Sequence, residues 1–201
     1  MGVNMKRIIF ATTNEGKMKE IRLILKDLNY EVVSLKEAGL NPEIIEDGNT
    51  FEENAMIKAK KVMELTGEMA LADDSGLEID YLNKEPGIYS ARFLGESTSY
   101  EIKNQYFLDQ LKDVKEDERT ARFVCAIALA YPDGRCITKQ ATIEGRIAHQ
   151  IAGNNGFGYD PIFFVPEYGC TAAELTMDQK NKISHRAKAL NAIKTELISG
   201  E

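Results

Sequence analysis

The chain has 201 residues, 43% of them hydrophobic, and carries a formal net charge of -7 at pH 7. This length and apolar content predict one globular domain over residues 1–201, with a full hydrophobic core. The acidic balance argues against binding to a nucleic-acid polymer, which requires a broad basic face to displace counterions. No apolar run approaches the ~20 residues of a membrane span, so we expect no membrane partner. The three cysteines lack metal-ligand spacing and no leader precedes them, which predicts a cytoplasmic protein.

Strands and helices alternate along the first part of the chain. Residues 7–11 form a mostly apolar run that predicts a strand, and apolar side chains recur at helical spacing over residues 21–28. The segment 12–16 between them is therefore expected to be a strand-to-helix loop. A second strand is predicted over residues 31–34 and leads into a polar loop.

A second helix is predicted to begin after Thr50. Glu53 follows Thr50 by three residues, which is the spacing of a capping box, and Gly67 stands just past the expected end of the helix. A buried strand is expected next, over the apolar residues 69–72, and extended chain is expected again over residues 77–81.

The rest of the chain predicts a mixed sheet. Residues 120–131 and 135–148 flank a Pro-Asp-Gly turn, which favours a long antiparallel hairpin. Helices are expected over residues 99–111 and 178–198, and a short strand over residues 162–165. The predicted fold class is α/β with a mixed β-sheet.

The most informative segment is residues 69–76, Met-Ala-Leu-Ala-Asp-Asp-Ser-Gly. An apolar strand here would place two adjacent carboxylates at a Ser-Gly turn, where side chains are held rigidly yet stay open to solvent. Successive side chains of a strand point to opposite faces, so one of Asp73 and Asp74 is expected to face the chemistry and the other to support it. Carboxylate oxygens suit Mg²⁺ beside a substrate phosphate. The alternative is a polar turn in which an aspartate caps the next segment.

The loop of residues 12–17 has the composition of a phosphate cradle. Backbone N–H groups at a helix N-terminus favour an anion, and Lys17 adds a positive charge. The loop is not a Walker A motif, because Ala11 stands in place of the first glycine and Met18 in place of Ser or Thr. The alternative is a capped helix start with a solvated lysine.

Two further residues are weaker candidates for the same chemistry. Lys58 lies in the second predicted helix and could neutralise a phosphate if that helix borders a cleft. Glu46, in the loop before the helix, could supply a second carboxylate for the metal. A lysine at such a position is usually solvent-exposed, so each residue alone is a weak signal.

Two segments near the end of the chain could bind a base or a phosphate. Residues 154–161 combine glycines, aromatics and an aspartate, a composition that lets backbone approach a planar ligand while a ring covers it. Aromatic residues near a strand end are, however, more often part of a core. Ser184-His185-Arg186 follows Lys180 near the start or middle of the last predicted helix. The Arg186 guanidinium could bind a phosphate or a carbonyl.

Six segments together resemble the inosine triphosphate pyrophosphatase family. They follow one another in the family's order and span nearly the whole chain, so the set is far more specific than any single segment. The segments are Thr12–Lys17, Thr50–Ala55, Ala72–Leu77, Pro86–Arg92, Gly156–Pro161 and Ser184–Arg186.

The resemblance implies a fold, an activity and an assembly. The implied fold is α/β, with two lobes around a long mixed β-sheet and a central substrate cleft. The implied activity is Mg²⁺-dependent hydrolysis of ITP, dITP, XTP and dXTP to the monophosphate and pyrophosphate, which keeps deaminated purines out of DNA and RNA. The implied assembly is a homodimer, with a small nucleoside triphosphate as the substrate.

The resemblance also implies a role for individual residues. Asp74 would be the proton acceptor and a ligand of Mg²⁺, and Glu46 the second ligand. Glu53 is the rival for that second position, because the preceding loop has no strong motif. Lys17 and Lys58 would be catalytic cations. The implied substrate-binding residues are Thr12, Thr13, Asn14, Glu15, Gly16, Lys17, Ser75, Phe157, Gly158, Tyr159, Asp160, Lys180, His185 and Arg186.

Three other functions compete with this hypothesis. One is a related nucleotide pyrophosphatase acting on modified pyrimidine or methylated nucleotides. The second is a phosphatase with an aspartyl nucleophile, although the usual Asp-x-Asp pattern after the first strand is absent. The third is a nucleotide-binding sensor without turnover, which the intact carboxylates and lysines disfavour.

Overall fold

The computed structural model describes residues 5–199. Within these residues every helix is too short or too polar to span a bilayer. The helices are α1 Glu15–Leu25, α2 Phe51–Thr66, α3 Tyr100–Gln110, α4 Met177–Ile183 and α5 His185–Ser199. The strands are β1 Lys6–Phe10, β2 Tyr30–Ser34, β3 Met69–Ile79, β4 Thr120–Ala130, β5 Cys136–Ile147, β6 Phe163–Val165 and β7 Cys170–Thr171.

The strands form a seven-stranded sheet in the order β2-β1-β3-β4-β5-β6-β7. β1 runs parallel to β2 and β3, whereas β6 pairs antiparallel with β5 and with β7. β4 and β5 form the expected hairpin, because the Tyr131 N–H donates to the Arg135 carbonyl and the Ile147 N–H to the Arg119 carbonyl, both at 2.9 Å. The predicted α/β class with a mixed sheet is therefore confirmed.

The chain divides into two compact units, each with its own apolar core. The first unit comprises Met1–Asp74, Cys125–Ala141 and Arg186–Glu201, as far as these are described. In its core, side chains of α1 and α5 pack with side chains of β1, β2, β3 and β4. The second unit comprises Ser75–Val124 and Thr142–His185. Its core combines α3 with the later part of β3, the start of β4, the end of β5 and β6.

The capping signals of α2 set its bounds as predicted. The Thr50 hydroxyl accepts the Glu53 N–H at 3.1 Å, which satisfies one of the free N–H groups at the start of the helix. Gly67 ends the helix in the left-handed region at φ 68°, and its N–H donates to the Met63 carbonyl. Glycine is favoured there because a Cβ makes this conformation costly.

The predicted turn at Ser75-Gly76 is wrong. β3 continues without a break from Met69 to Ile79, because Leu77 and Ile79 alternate into the second core and are fully buried. Burial of alternating apolar side chains outweighs the local turn preference of a Ser-Gly pair. The chain turns later than predicted, in a short 3₁₀ segment at Asp80–Leu82.

The single helix predicted over residues 178–198 is two helices. Ser184 has an extended backbone, with φ -62° and ψ 148°, and separates α4 from α5. Serine readily adopts this conformation beside a helix start, whereas apolar periodicity does not detect a one-residue break. The Ser-His-Arg segment therefore lies at a helix boundary.

The other predicted strands, the hairpin and α3 lie within one residue of the observed bounds at each end. β7, Cys170–Thr171, was not predicted. Two residues are too few to show the alternation by which a strand is recognised.

Candidate active site

Three charged side chains of the first unit form one cluster: Asp74, Lys58 and Glu46. Lys58 Nζ lies 2.8 Å from Glu46 Oε2 and 3.4 Å from Asp74 Oδ1, so the ammonium joins the two carboxylates. Asp74 comes from β3, Lys58 from α2 and Glu46 from the loop before α2. The structure thus brings together three residues that the sequence analysis singled out separately.

Burial and the neighbouring charges shift the proton affinities in this cluster. Burial raises the pKa of Asp74 above its usual value; Lys58 opposes that shift and Glu46 adds to it. Burial would lower the pKa of Lys58, but Asp74 and Glu46 hold it above its ordinary value. Lys58 therefore stays charged, while Asp74 accepts a proton more readily than an exposed aspartate does.

Asp73, one residue earlier, has a different set of partners. Its Oδ2 lies 2.9 Å from Lys17 Nζ and 3.3 Å from Arg186 Nε. Burial alone would raise the pKa of Asp73, but Lys17, Arg186 and Lys58 hold it well below its usual range. The separate partner sets of Asp73 and Asp74 agree with the predicted alternation of their side chains along the strand.

Arg186 is buried between two carboxylates. Its Nη1 lies 2.5 Å from Glu20 Oε2, and its Nε contacts Asp73. Burial opposes its charge, but Asp73 and Glu20 raise the pKa of Arg186 above its ordinary value. The predicted contact of Arg186 with substrate stays a prediction, since the residue is only 2% exposed and these ion pairs hold its guanidinium in place.

The predicted strand-to-helix loop of residues 12–16 lies between β1 and α1 but is shorter than expected, because residues 11–14 join the two elements and α1 begins at Glu15. Asn14 caps the helix, since its side chain accepts the Lys17 N–H at 3.1 Å, and the Thr12 hydroxyl accepts the Asn14 N–H at 3.1 Å. Thr12 is buried, whereas Thr13, Asn14, Glu15 and Gly16 are exposed. An exposed helix N-terminus with a lysine in its first turn can receive an anion.

The two rival carboxylates before and within α2 have different surroundings. Glu46 faces Lys58 in the cluster at Asp74. The Glu53 carboxylate instead accepts the Asn49 N–H at 2.6 Å, at the start of α2. Of the two, Glu46 therefore shares a lysine with Asp74, and Glu53 is occupied in fixing the helix start.

Asn54 also belongs to this site, although no role for it was predicted from the sequence. Its side chain is fully buried, and its Nδ2 donates to Asp74 Oδ2 at 3.1 Å. A buried amide on a helix whose other buried residues are Phe51, Ala55, Ala59 and Val62 is unusual, because a buried amide requires hydrogen-bond partners. In the sequence Asn54 is visible only as a polar residue within the segment Thr50–Ala55, and its burial becomes apparent only in the fold.

The second unit holds the other group of predicted residues. Lys180 Nζ lies 2.6 Å from Asp160 Oδ2, and the same carboxylate oxygen accepts the Phe157 N–H at 2.8 Å. The ammonium also lies 5.0 Å from the centre of the Phe157 ring, which is 39% exposed. Gly156, at φ 77°, has no room for a side chain because a Cβ would lie 2.2 Å from the Asp160 carboxylate.

A small cavity of about 10 Å³ borders this group within the second unit. His185 lines it and packs against Phe123, with ring centres 5.0 Å apart and planes at 22°. Asp160 and Lys180 line the same cavity, together with Ile143, Phe163, Val165, Ala172, Leu175, Ile183 and Ser184. Three of the predicted substrate-binding residues thus line the same cavity.

Tyr159 and Gly158 have structural contacts within the second unit. The Tyr159 hydroxyl donates to the Ser90 carbonyl at 2.8 Å, and its ring packs edge-on against Tyr100 and Phe107. The Gly158 carbonyl accepts from Asn104 Nδ2 at 3.1 Å. Burial raises the pKa of Tyr159 well above its usual value, so this hydroxyl stays protonated. The substrate contacts predicted for Gly158, Tyr159 and the partly buried Ser75 stay predictions.

Comparison with known proteins places the chain in one family. The Ham1 family profile matches residues 8–196. The chain is 52% identical over 184 residues to the dITP/XTP pyrophosphatase of Desulforamulus reducens, a match that covers 92% of each sequence. It is 49% identical over 199 residues to the dITP/XTP pyrophosphatase of Clostridium perfringens, covering 96% of this chain and 98% of the relative.

A solved structure agrees with this placement. The Ham1 protein of Staphylococcus aureus superposes with a TM-score of 0.87 at 40% sequence identity, over 98% of this chain and 100% of that one. The resemblance inferred from six short segments is therefore confirmed over nearly the full length. The chain belongs to the Ham1 family.

Proposed function

We propose that the protein hydrolyses deaminated purine nucleoside triphosphates, dITP, ITP, XTP and dXTP, to the monophosphate and pyrophosphate. The observation that carries the proposal is the cluster in which Lys58 lies between Glu46 and Asp74. The names of the relatives, dITP/XTP pyrophosphatases, supply the substrate class. A cell would use this activity to keep deaminated bases out of DNA and RNA.

Asp74 is the base in the proposed reaction. A water molecule attacks the α-phosphorus, a bond forms between the water oxygen and that phosphorus, and the bond to the oxygen bridging the α- and β-phosphorus atoms breaks. The water proton passes to the Asp74 carboxylate, and pyrophosphate leaves with the bridging oxygen. The raised pKa of Asp74 suits a group that must take up a proton.

Two lysines and a helix N-terminus supply positive charge to the phosphates. Residues 12–17, at the start of α1, bind the triphosphate through backbone N–H groups and the Lys17 ammonium. Lys17 and Lys58 neutralise charge that develops on the leaving pyrophosphate. In the structure each ammonium is held by a carboxylate, Lys17 by Asp73 and Lys58 by Glu46 and Asp74.

The carboxylate oxygens of Glu46 and Asp74 are suitable ligands for Mg²⁺. Glu46 and Asp74 would hold the ion, which commonly takes one or two carboxylates and completes its coordination with substrate phosphates and water. Within residues 5–199 no three His, Cys, Asp or Glu side chains are grouped to hold a metal, so a site built from this chain alone would be incomplete without substrate. When bound, Mg²⁺ supplies electrostatic stabilisation of the phosphate oxygens.

The second unit would select the base. Hypoxanthine and xanthine carry an oxygen at C6 where adenine has an amino group, so hydrogen-bond donors placed there reject adenine. Sites of this kind can discriminate by up to roughly 10⁴–10⁵-fold. The Lys180 ammonium, which Asp160 holds at 2.6 Å, and the His185 ring would supply donors for this role, and the exposed Phe157 ring would cover the base.

The resemblance supports two further parts of the proposal. One is that the protein acts as a homodimer, and the other is that it acts in the cytoplasm. Neither part is required by the chemistry described above.

The test is to identify the products formed from dITP, XTP, dATP and dGTP by chromatography, with Mg²⁺ and with a chelator. We expect monophosphate and pyrophosphate from dITP and XTP only, and no turnover with chelator. dATP and dGTP are the matched controls for base selection. Release of diphosphate and phosphate, or binding without turnover, would contradict the proposal, as would full activity in the chelator.

A further inference from the structure

Asn54 is a fully buried polar residue in the first turns of α2. Its backbone N–H donates to the Thr50 carbonyl at 3.1 Å, as expected for a helical residue. A buried amide side chain costs free energy unless both its oxygen and its nitrogen have hydrogen-bond partners. Asn54 has a partner at each end, and the two partners belong to different parts of the first unit.

The Asn54 side chain joins Asp74 to the loop that carries Glu46. Its Nδ2 donates to Asp74 Oδ2 at 3.1 Å, while its Oδ1 accepts the Gly48 N–H at 2.9 Å. A backbone N–H can only donate, so the Gly48 contact identifies the oxygen end and leaves the NH₂ group facing the carboxylate. Lys58 contacts the other oxygen of Asp74, Oδ1.

The loop approaches Asn54 so closely that it leaves no room for a side chain at residue 48. A Cβ on Gly48 would lie 2.7 Å from Asn54 Oδ1 and 2.7 Å from the Glu53 Cβ. Glu46 lies only two residues before this contact. The bond between Gly48 and Asn54 therefore limits how far the Glu46 carboxylate can move from Asp74.

We propose that Asn54 is a positioning residue that fixes the Asp74 carboxylate relative to the Glu46 loop through its two side-chain hydrogen bonds. The inference rests on the proposed function, since it concerns the two carboxylates of that reaction. Asn54 acts through Asp74 and Gly48 and is not itself a catalytic residue. Removing a group that orients a metal-binding carboxylate typically lowers activity or metal affinity by about 10–100-fold.

The experiment uses two substitutions that separate the two hydrogen bonds. Asn54→Ala removes both, whereas Asn54→Asp has nearly the same shape, keeps an oxygen for the Gly48 N–H and replaces the amide donor to Asp74 with a second carboxyl group. Gly48→Ala disturbs the same contact from the loop side and leaves the Asn54 side chain unchanged. Val62→Ala is the matched control, because Val62 is fully buried in the same helix two turns further on.

Two readouts are needed for each variant. The first is kcat and KM for dITP at saturating Mg²⁺. The second is hydrogen exchange at the Gly48 amide in the free protein, which does not depend on activity. We expect kcat to fall about 10–100-fold in Asn54→Ala and Asn54→Asp, with KM little changed. Gly48 exchange should accelerate in Asn54→Ala and remain slow in Asn54→Asp.

The control distinguishes positioning from general stability. Val62→Ala should lower the melting temperature and leave kcat and Gly48 exchange near the wild-type values. Wild-type kcat in folded Asn54→Asp and Gly48→Ala proteins would overturn the inference, even if Asn54→Ala failed to fold. Failure of the proposed function is a separate result, because it would show as no release of pyrophosphate by the wild-type protein.

Discussion

Asp73 and Asp74 are neighbours in β3, yet their surroundings differ in charge and in access. The Asp73 side chain is 1% exposed and paired with two cations, Lys17 and Arg186, whereas the Asp74 side chain is 12% exposed and shares Lys58 with a second carboxylate. The pKa is lowered at Asp73 and raised at Asp74. Two neighbouring aspartates can thus differ in proton affinity, and the difference arises from the partners that each face of the strand meets.

Asp74→Asn removes the carboxylate with the raised pKa and should have the largest effect, which is a loss of turnover. The amide has nearly the shape of the carboxylate but cannot take up a proton or hold a metal as well. We expect kcat for dITP to fall by about 10²–10⁴-fold, the usual contribution of a general base, with little change in melting temperature. Near-normal turnover in a folded variant would remove Asp74 from the catalytic role.

The main effect of Asp73→Asn should be a lower free energy of unfolding. The substitution leaves Lys17 and Arg186 without one of their carboxylates, and removing one partner of a buried ion pair costs about 3–5 kcal/mol. We expect the lower end of that range, because Arg186 keeps its pair with Glu20. Urea unfolding at pH 7 measures the free energy. An unchanged free energy of unfolding would contradict this account.

Acid should reduce the difference between the wild type and Asp73→Asn. The folded-state pKa of Asp73 lies below its unfolded value, so its stabilising contribution is complete above the ordinary aspartate pKa of about 3.9 and is lost as the pH falls toward the folded value. The free energies of unfolding of the two proteins should therefore converge between about pH 4 and the acid limit of the measurement. A constant difference down to that limit would mean that the Asp73 charge is not the source of the stability.

Lys58→Met should have a smaller effect on turnover than Asp74→Asn. The methionine keeps much of the length of the side chain and removes the charge that joins Glu46 to Asp74. We expect kcat to fall by about 10²-fold, which is typical for the loss of one electrostatic contact to a developing charge. Lys58→Arg is the charge-preserving control and should recover part of the loss. Equal kcat in the two variants would show that the charge of Lys58 is not used.

The sequence predicts the parts of this site that depend on local geometry. Alternation along a strand separates the side chains of Asp73 and Asp74, and the Thr50 and Gly67 caps bound α2, because each rule concerns residues a few positions apart. The same local reasoning failed at Ser75-Gly76, where burial of Leu77 and Ile79 keeps β3 continuous.

The ion pairs and the role of Asn54 could not be predicted in this way. Arg186 reaches Glu20 and Asp73 across 166 and 113 residues of chain, and no spacing rule covers such a contact. The choice between Glu46 and Glu53 likewise depends on which one the folded loop turns toward Lys58. Asn54 was visible only as a polar residue inside a short motif, until the fold showed its bonds to Asp74 and Gly48.

The central claim, that water attacks the α-phosphorus of a nucleoside triphosphate without a covalent enzyme intermediate, is tested most directly by turnover of dITP in ¹⁸O-labelled water. Mass spectrometry would locate the label in the products and in the peptide that contains Asp73 and Asp74. We predict label in the monophosphate, none in pyrophosphate and none in the protein. Label in pyrophosphate would mean attack at the β-phosphorus, and label in an aspartate after many turnovers would mean a covalent aspartyl intermediate; either result would contradict the account.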